Sequence, residues 1–194
     1  MKYFGTDGFR GEANVTLNVE HAYKVGRFLG NYFQKDDHKV RVVIGKDTRL
    51  SGYMFETALA SGLTASGADV YELHVTTTPS VSYLVRKENF DCGIMISASH
   101  NPFYDNGIKL INAAGEKMKE DVIAEIEKYL DGELGEIPYA TRENIGCTVD
   151  YTAGRNRYMG YLMSLAIYSF KGIMVVHGHL QKLYLTHLEL RHML

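Results

Sequence analysis

The chain has 194 residues, 45% of them hydrophobic, and a formal charge of −2. That length suits one full domain with some chain left over, and the near-neutral balance excludes the broad basic footprint of a nucleic-acid binder while leaving room for a small positive cleft. Cys92 and Cys147 are too few for a disulfide framework. Residues 1–30 show no basic-then-apolar leader and no run of about 18 apolar residues occurs, so the expectation is a cytoplasmic protein with neither membrane nor nucleic acid as partner.

Residues 3–12 start as a short strand and pass into a loop where Gly5, Gly8 and Gly11 surround Asp7 and Arg10. Glycines there permit tight turning and close approach to a ligand. Asn18 is placed to cap a helix in which Val19, Ala22, Val25, Phe28, Leu29 and Tyr32 recur at helical spacing. Asp36 and Asp37 mark the turn after it. Residues 40–44 form a β-branched strand and residues 45–52 a second polar loop. Met54, Phe55, Ala58, Leu59 and Leu63 then line one helix face, which stops near Gly67. A strand over 69–74 leads to a short helix, with Thr78 as N-cap and Pro79 at the first helical position. The apolar run 92–96 reads as a buried strand, followed by a polar loop and a short strand over 108–111. Residues 112–115 turn, 116–118 pair back, and a helix over 119–130 ends at Asp131-Gly132.

Strands alternating with helices predict an α/β fold: a three-layer αβα domain with a mixed, mostly parallel sheet, spanning residues 1–132. Residues 133–153 are polar and aperiodic, which suits a linker. Residues 154–170 have a helical pattern with Tyr158, Tyr161, Leu162, Leu165 and Tyr168 on the apolar side, and residues 154–176 read as the start of an incomplete second domain. Such a helix needs a surface to pack on, so self-association through this region is expected. Residues 177–194 carry four of the eight histidines and no βα punctuation; they are expected to be an aberrant, poorly ordered tail. The spacing of His177, His179, His187 and His192 suits no compact metal site.

In parallel sheets, ligands bind beyond the carboxyl ends of the strands, and the three polar loops all lie at such ends. The richest is the stretch over residues 96–110, where two serines, His100, Asn101, Asn106 and Lys109 are punctuated by Pro102 and Gly107. Ser99 is the candidate covalent phosphate carrier, since phosphoryl transfer asks a protein mainly for positioning and positive charge. The competing reading is a strand exit rich in turn formers. His100 is either an acid or base beside the phosphate or a structural donor, and Lys109 either faces solvent or returns to the crevice. Asn101 and Asn106 can fix the loop by bonding to its backbone. Arg10, presented from the glycine loop, can fork onto phosphate oxygens or form a surface ion pair. Lys46, Asp47 and Arg49 either pair among themselves or support the Ser99 loop.

The string Ser-Ala-Ser-His-Asn-Pro at 97–102 resembles the α-D-phosphohexomutase family. Residues 3–11, 45–52 and 96–109 match its motifs in the same order, and the resemblance extends to about residue 172. It implies that Ser99 is a phosphoserine, with Arg10, His100 and Lys109 at the catalytic crevice and Mg2+ bridging the serine phosphate. The flanking residues point to the branch that interconverts glucosamine 6-phosphate and glucosamine 1-phosphate through a bisphosphate, with a hexosamine phosphate as substrate. The alternatives are a mannose- or glucose-phosphate relative, or a non-catalytic remnant. Family members have four domains in well over twice this length. Their Asp-x-Asp-x-Asp metal loop, sugar loop and second phosphate loop are absent here, so the Mg2+ site is expected to be incomplete and turnover by this chain slight or nil. After Gly172 the sequence departs from the family, and a change of reading frame near that point accounts for it; the nucleotide sequence downstream tests that expectation.

Overall fold

The computed structural model describes residues 2–34 and 38–166. The expected turn at Asp36 and Asp37, the expected strand over 173–176, the tail over 177–194 and its four histidines lie outside the described residues. The chain forms β1 (Phe4–Gly5), β2 (Gly8–Glu12), α1 (Val19–Tyr32), β3 (Arg41–Lys46), α2 (Ser51–Ala65), β4 (Asp69–Val75), α3 (Thr78–Lys87), β5 (Cys92–Ile96), β6 (Asp105–Asn112), α4 (Glu120–Leu130), β7 (Thr148–Asp150) and α5 (Thr152–Ser164). Among the described residues no helix is long and apolar enough to cross a membrane.

The seven strands form one sheet in the order β1-β2-β6-β5-β3-β4-β7. Strands β5, β3, β4 and β7 pair in parallel, and β6 joins β5 and β2 antiparallel. Five strands therefore point one way, with β1 and β6 opposed. Alternation along the strands sends Val42, Ile44, Ile94, Ile96, Ile108 and Leu110 into a core shared with α1, α2 and α4. Val43, Leu73, Met95 and Ile111 face a smaller core under α3. These two cores separate the three layers.

Local signals explain most boundaries. Asn18 caps α1 reciprocally: its side chain accepts from the His21 amide at 2.9 Å, while its own amide donates to His21 Nδ1 at 3.3 Å. Thr77 rather than Thr78 is the N-cap of α3, with proline in the first turn. Strand β6 starts at Asp105, earlier than its apolar run, because β2 pairs with it over Asp105 to Ile108. Glu127 on α4 anchors the amino terminus: its carboxylate accepts from the amides of Lys2, Tyr3 and Phe4 at 2.9, 2.8 and 2.9 Å. Burial alone would raise this carboxyl, but the three amides outweigh it and hold it below its ordinary range.

Helices α1 and α2 touch through glycines. A Cβ at Gly62 would overlap the Tyr23 carbonyl oxygen and sit 2.9 Å from the Arg27 nitrogen. Both neighbours are backbone, so neither can rotate away. Gly62→Ala is expected to cost about 3 kcal/mol of stability through overpacking, read as a lower urea midpoint at unchanged slope.

The segment over 133–153 is tied down along its length. Ala140 N–H donates to Ala65 O at 2.9 Å, Gly146 N–H to Thr64 O at 3.0 Å and Cys147 N–H to Asp69 Oδ1 at 3.0 Å. The Arg27 guanidinium donates to the carbonyls of Ile137 and Pro138. The segment then adds β7 to the sheet beside β4. Helix α5 packs part of its apolar side on this chain, while Tyr161 and Leu165 stay exposed. Tyr158 and Met159 are buried. The Tyr161 ring stacks on Tyr83 at 4.6 Å, and Tyr158 lies 5.5 Å from the same ring. Tyr151, just before α5, donates its hydroxyl to Glu88. Burial, and then the Glu88 carboxylate, push that phenol up to about 12.

Candidate active site

Strand β5 is buried at every residue, so it delivers the chain to the sheet edge with no freedom of direction. Ser97 continues the pairing, its N–H donating to Gly107 O at 2.8 Å. Its hydroxyl accepts from the Ser99 amide at 3.0 Å. The chain then emerges: Ser99 and His100 are exposed, and Ser99 has a φ of +58°. A residue with a Cβ adopts that left-handed conformation only where its surroundings enforce it. The Ser99 Oγ lies 3.4 Å from His100 Nδ1.

A turn bond from Asn101 N–H to Ala98 O at 3.1 Å and the side chain of Arg49 supply the enforcement. The Arg49 guanidinium donates to Ser99 O at 2.9 Å, Asn101 O at 2.8 Å, Asp105 O at 2.9 Å and the Pro102 carbonyl. Its Nε donates to Asp47 Oδ2 at 3.0 Å, while Asp47 Oδ1 accepts the Arg49 amide at 3.0 Å. Asp47 is itself fixed through its amide to Ile96 O, also at 3.0 Å. Every nitrogen of the guanidinium is thereby engaged, so this arginine shapes the loop and presents no donor to a ligand. Asn101 spans the loop from within, its Nδ2 donating to Asp105 Oδ2 at 2.9 Å.

Asn106 and Lys46 act from below. Asn106 is fully buried; it donates to Ser51 Oγ at 2.9 Å and accepts the Gly107 amide at 2.8 Å, tying β6 to the start of α2. Lys46 does not join the Ser99 loop. Its side chain is 1% exposed, pairs with Glu56 at 2.8 Å and lies 4.0 Å from the Tyr53 ring centroid. The sequence grouped Lys46 with Asp47 and Arg49, but strand parity turns it into the core while the next two residues leave the sheet.

Arg10 reaches the loop from β2, and Lys109 lies on the same sheet face on β6. Phe9 and Ile108 are register partners in the larger core, so Arg10, Gly107 and Lys109 face the α3 side. Arg10 lies opposite Gly107, where a Cβ would stand 3.0 Å from Arg10 Cγ and 2.8 Å from Ser97 O. The bare glycine therefore lets the arginine stem cross β6 towards the loop. Arg10 donates to Asp7 at 2.8 Å and to Asn101 Oδ1 at 3.4 Å, and its buried Nε has no partner among the described residues. Burial first, and then the charge of Arg10, hold the Lys109 amine below its ordinary range, with Asp7 and Asp47 opposing. A lysine held down by burial and by a neighbouring guanidinium that has an orphaned donor makes a place suited to an anion.

The structure thus gathers Ser99, His100, Asn101, Asp47, Arg49 and Arg10 around one loop. An open hollow of about 540 Å3 beside Ser99 is lined by Asp47, Arg49, Leu50, Asn101 and Phe103. Lys109 lines a neighbouring cavity of about 460 Å3 with Asp7, Thr78 and Leu110. Sequence reasoning noted Ser97 and Gly107 in the stretch but not their roles, as acceptor for the Ser99 amide and as the gap that Arg10 crosses. The Ser-x-Ser spacing is a local signal for the first; the second is visible only from the β2–β6 register.

The chain by itself does not fit a Mg2+ site. Among the described residues no three His, Cys, Asp or Glu side chains form a metal-ligating group. Asp47, Asp105 and Asp7, the carboxylates nearest the loop, are committed to Arg49, Asn101 and Arg10.

Similarity to other proteins agrees with this geometry. The chain is 85% identical over 176 residues to a phosphoglucosamine mutase of Lachnospira eligens, covering 90% of this chain and 39% of that protein. It is 72% identical over 174 residues to one from Lachnoclostridium phytofermentans, with the same coverage. A crystal structure of a phosphoglucomutase/phosphomannomutase family protein from Burkholderia thailandensis superposes with a TM-score of 0.68 at 27% identity, over 84% of this chain and 35% of that one. The chain therefore spans about two fifths of the length of the curated relatives it matches. Residues 1–134 match the description "Phosphoglucomutase/phosphomannomutase, alpha/beta/alpha domain I", and with the Ser99 loop set at the sheet edge as described, the chain belongs to the phosphoglucomutase/phosphomannomutase family.

Proposed function

We propose that the chain supplies the phosphoserine wall of an enzyme interconverting glucosamine 6-phosphate and glucosamine 1-phosphate. The observation that carries this reading is the Ser99 hydroxyl, exposed at the end of a fully buried strand, in a left-handed conformation that Arg49 helps to enforce. The names of the similar proteins support the amino sugar as substrate. In this reading residues 1–132 form the domain bearing the phosphoserine, and α5 leads towards a second domain.

Chemically, the phosphoryl group on Ser99 Oγ passes to the free hydroxyl oxygen of the sugar monophosphate, giving a bisphosphate. The P–O bond to serine breaks as the bond to the sugar forms. The other phosphate of the reoriented bisphosphate then returns to Ser99. His100 is placed to carry the proton exchanged at Oγ, and Arg10 and Lys109 to neutralise charge on the phosphoryl oxygens. One wall alone gives little grip on the sugar, so turnover by this chain is expected to be slight.

Intact-mass analysis after incubation with a hexose bisphosphate tests the reading. The chain is expected to gain one phosphate and Ser99→Ala none. A phosphate gain by Ser99→Ala equal to that of the parent chain would remove Ser99 from the role, as would brisk turnover by Ser99→Ala in a coupled assay.

A further inference from the structure

Thr6 and Asp7 form the turn between β1 and β2, since Gly5 and Gly8 are register partners on either side of them. Both turn residues are exposed. Asp7 is the free end of its ion pair with Arg10. The two side chains meet at 2.8 Å, but Asp7 keeps 67% of its side-chain surface in water and Arg10 only 22%. The arginine stem is hemmed in where it crosses Gly107, whereas an aspartate at a turn tip can leave by rotation about χ1.

A second cation comes under the same carboxylate. The Asp7 charge acts on the Lys109 amine against burial and against Arg10. Asp7 lines the Lys109 cavity, and also a hollow that it shares with Tyr3, Thr6 and Arg10. Arg10 is otherwise poorly served. Its Nε is buried with no partner among the described residues, and its bond to Asn101, two residues beyond Ser99, is long at 3.4 Å. The guanidinium beside the Ser99 loop thus has donors to spare, and the anion it holds is an exposed one.

We propose that Asp7 is a placeholder for phosphate: its carboxylate occupies Arg10 until a phosphoryl group reaches the Ser99 loop, then turns out to solvent as the phosphate takes the guanidinium. The inference deepens the reading of Ser99 as a phosphate carrier and rests on it. The exchange is favourable because an exposed ion pair is weak, while phosphate engages a guanidinium through two parallel charge-assisted bonds. Until the exchange, the carboxylate keeps the arginine aligned and keeps other anions off it. Asp7 is thus a positioning residue, and its presence lowers the affinity of the empty site for phosphate.

Titration of the full chain with inorganic phosphate, followed by NMR on the Asn101 and Gly107 amides, tests it. Asp7→Asn, which suits a turn, is expected to bind phosphate about fivefold more tightly than the parent, the upper range for one exposed ion pair. Asp7→Glu keeps the carboxylate and is expected to stay near the parent, and Arg10→Met to lose the binding. A carboxylate that merely supported Arg10 would give the opposite sign, with weaker binding in Asp7→Asn. Affinity in Asp7→Asn equal to or below that of the parent overturns the proposal, as does the absence of phosphate binding at these amides in both chains. The titration needs no transfer to Ser99, so tighter binding in Asp7→Asn without phosphate gain from a hexose bisphosphate overturns the carrier reading alone.

Discussion

Arg49→Met is expected to slow phosphate uptake at Ser99 by about 10²-fold, the scale set by an ångström of misplacement, and to lower stability by about 3 kcal/mol. The guanidinium is the common partner of four carbonyls in the Ser99 loop and of Asp47. Removing it frees those carbonyls to water and leaves a half-buried carboxylate without its cation. Beside the guanidinium, Ser99 is held by the bond from its amide to Ser97 Oγ and by the turn bond from Asn101 N–H to Ala98 O at 3.1 Å. Arg49→Lys keeps the charge but not the planar fork, so it should recover little of the uptake rate. A time course of phosphate gain by mass spectrometry and a urea titration separate the two effects. Uptake at the parental rate in Arg49→Met would show that the loop needs no clamp.

The largest stability loss is expected away from the chemistry. Glu56→Leu should destabilise the chain by about 3–5 kcal/mol, because it strands the Lys46 ammonium in the core. Lys46 is 1% exposed and, among the described residues, would keep the Tyr53 ring. The double variant Lys46→Met/Glu56→Leu removes both charges and should regain most of that loss. Denaturant midpoints for the two single variants and the double complete the cycle. Additive losses in the double variant would refute the pairing as the source of the cost. The family motif over 45–52 thus mixes two tasks: Lys46 holds α2 to β3, whereas Asp47 and Arg49 hold the loop.

These cases show what could be read from the sequence. Asn18, the apolar spacing in α1 and α4, and the unbroken run Cys92–Ile96 are local signals, and the elements form where they point. The Ser99 stretch was legible because turn formers and polar side chains crowd directly after that strand. Lys46 was not legible: its environment is made by Glu56 and Tyr53, which reach it only once α2 docks. Strand β7 was hidden for another reason. Thr148, Val149 and Asp150 form a short edge strand with Val149 only half-buried, so no apolar period marks it. Its place comes from backbone bonds to β4 and from Asp69, which takes the Cys147 amide. Arg10 was recognised by type, but its path across Gly107 exists only in the paired sheet.

The anchor at Glu127 bears on how the chain is made. The amide of Lys2 waits for a carboxylate 125 residues further along, and β2 pairs with a strand that begins at Asp105. During synthesis β1 and β2 thus leave the ribosome before β3, β4 and β5 yet are seated after them, since the parallel centre can assemble before β6 arrives. Contacts of such long sequence separation slow folding and leave unpaired edges exposed meanwhile. Arrest of translation before β6 emerges would leave the β1–β2 pair without its neighbour in the sheet, and there the nascent chain is most in need of a chaperone.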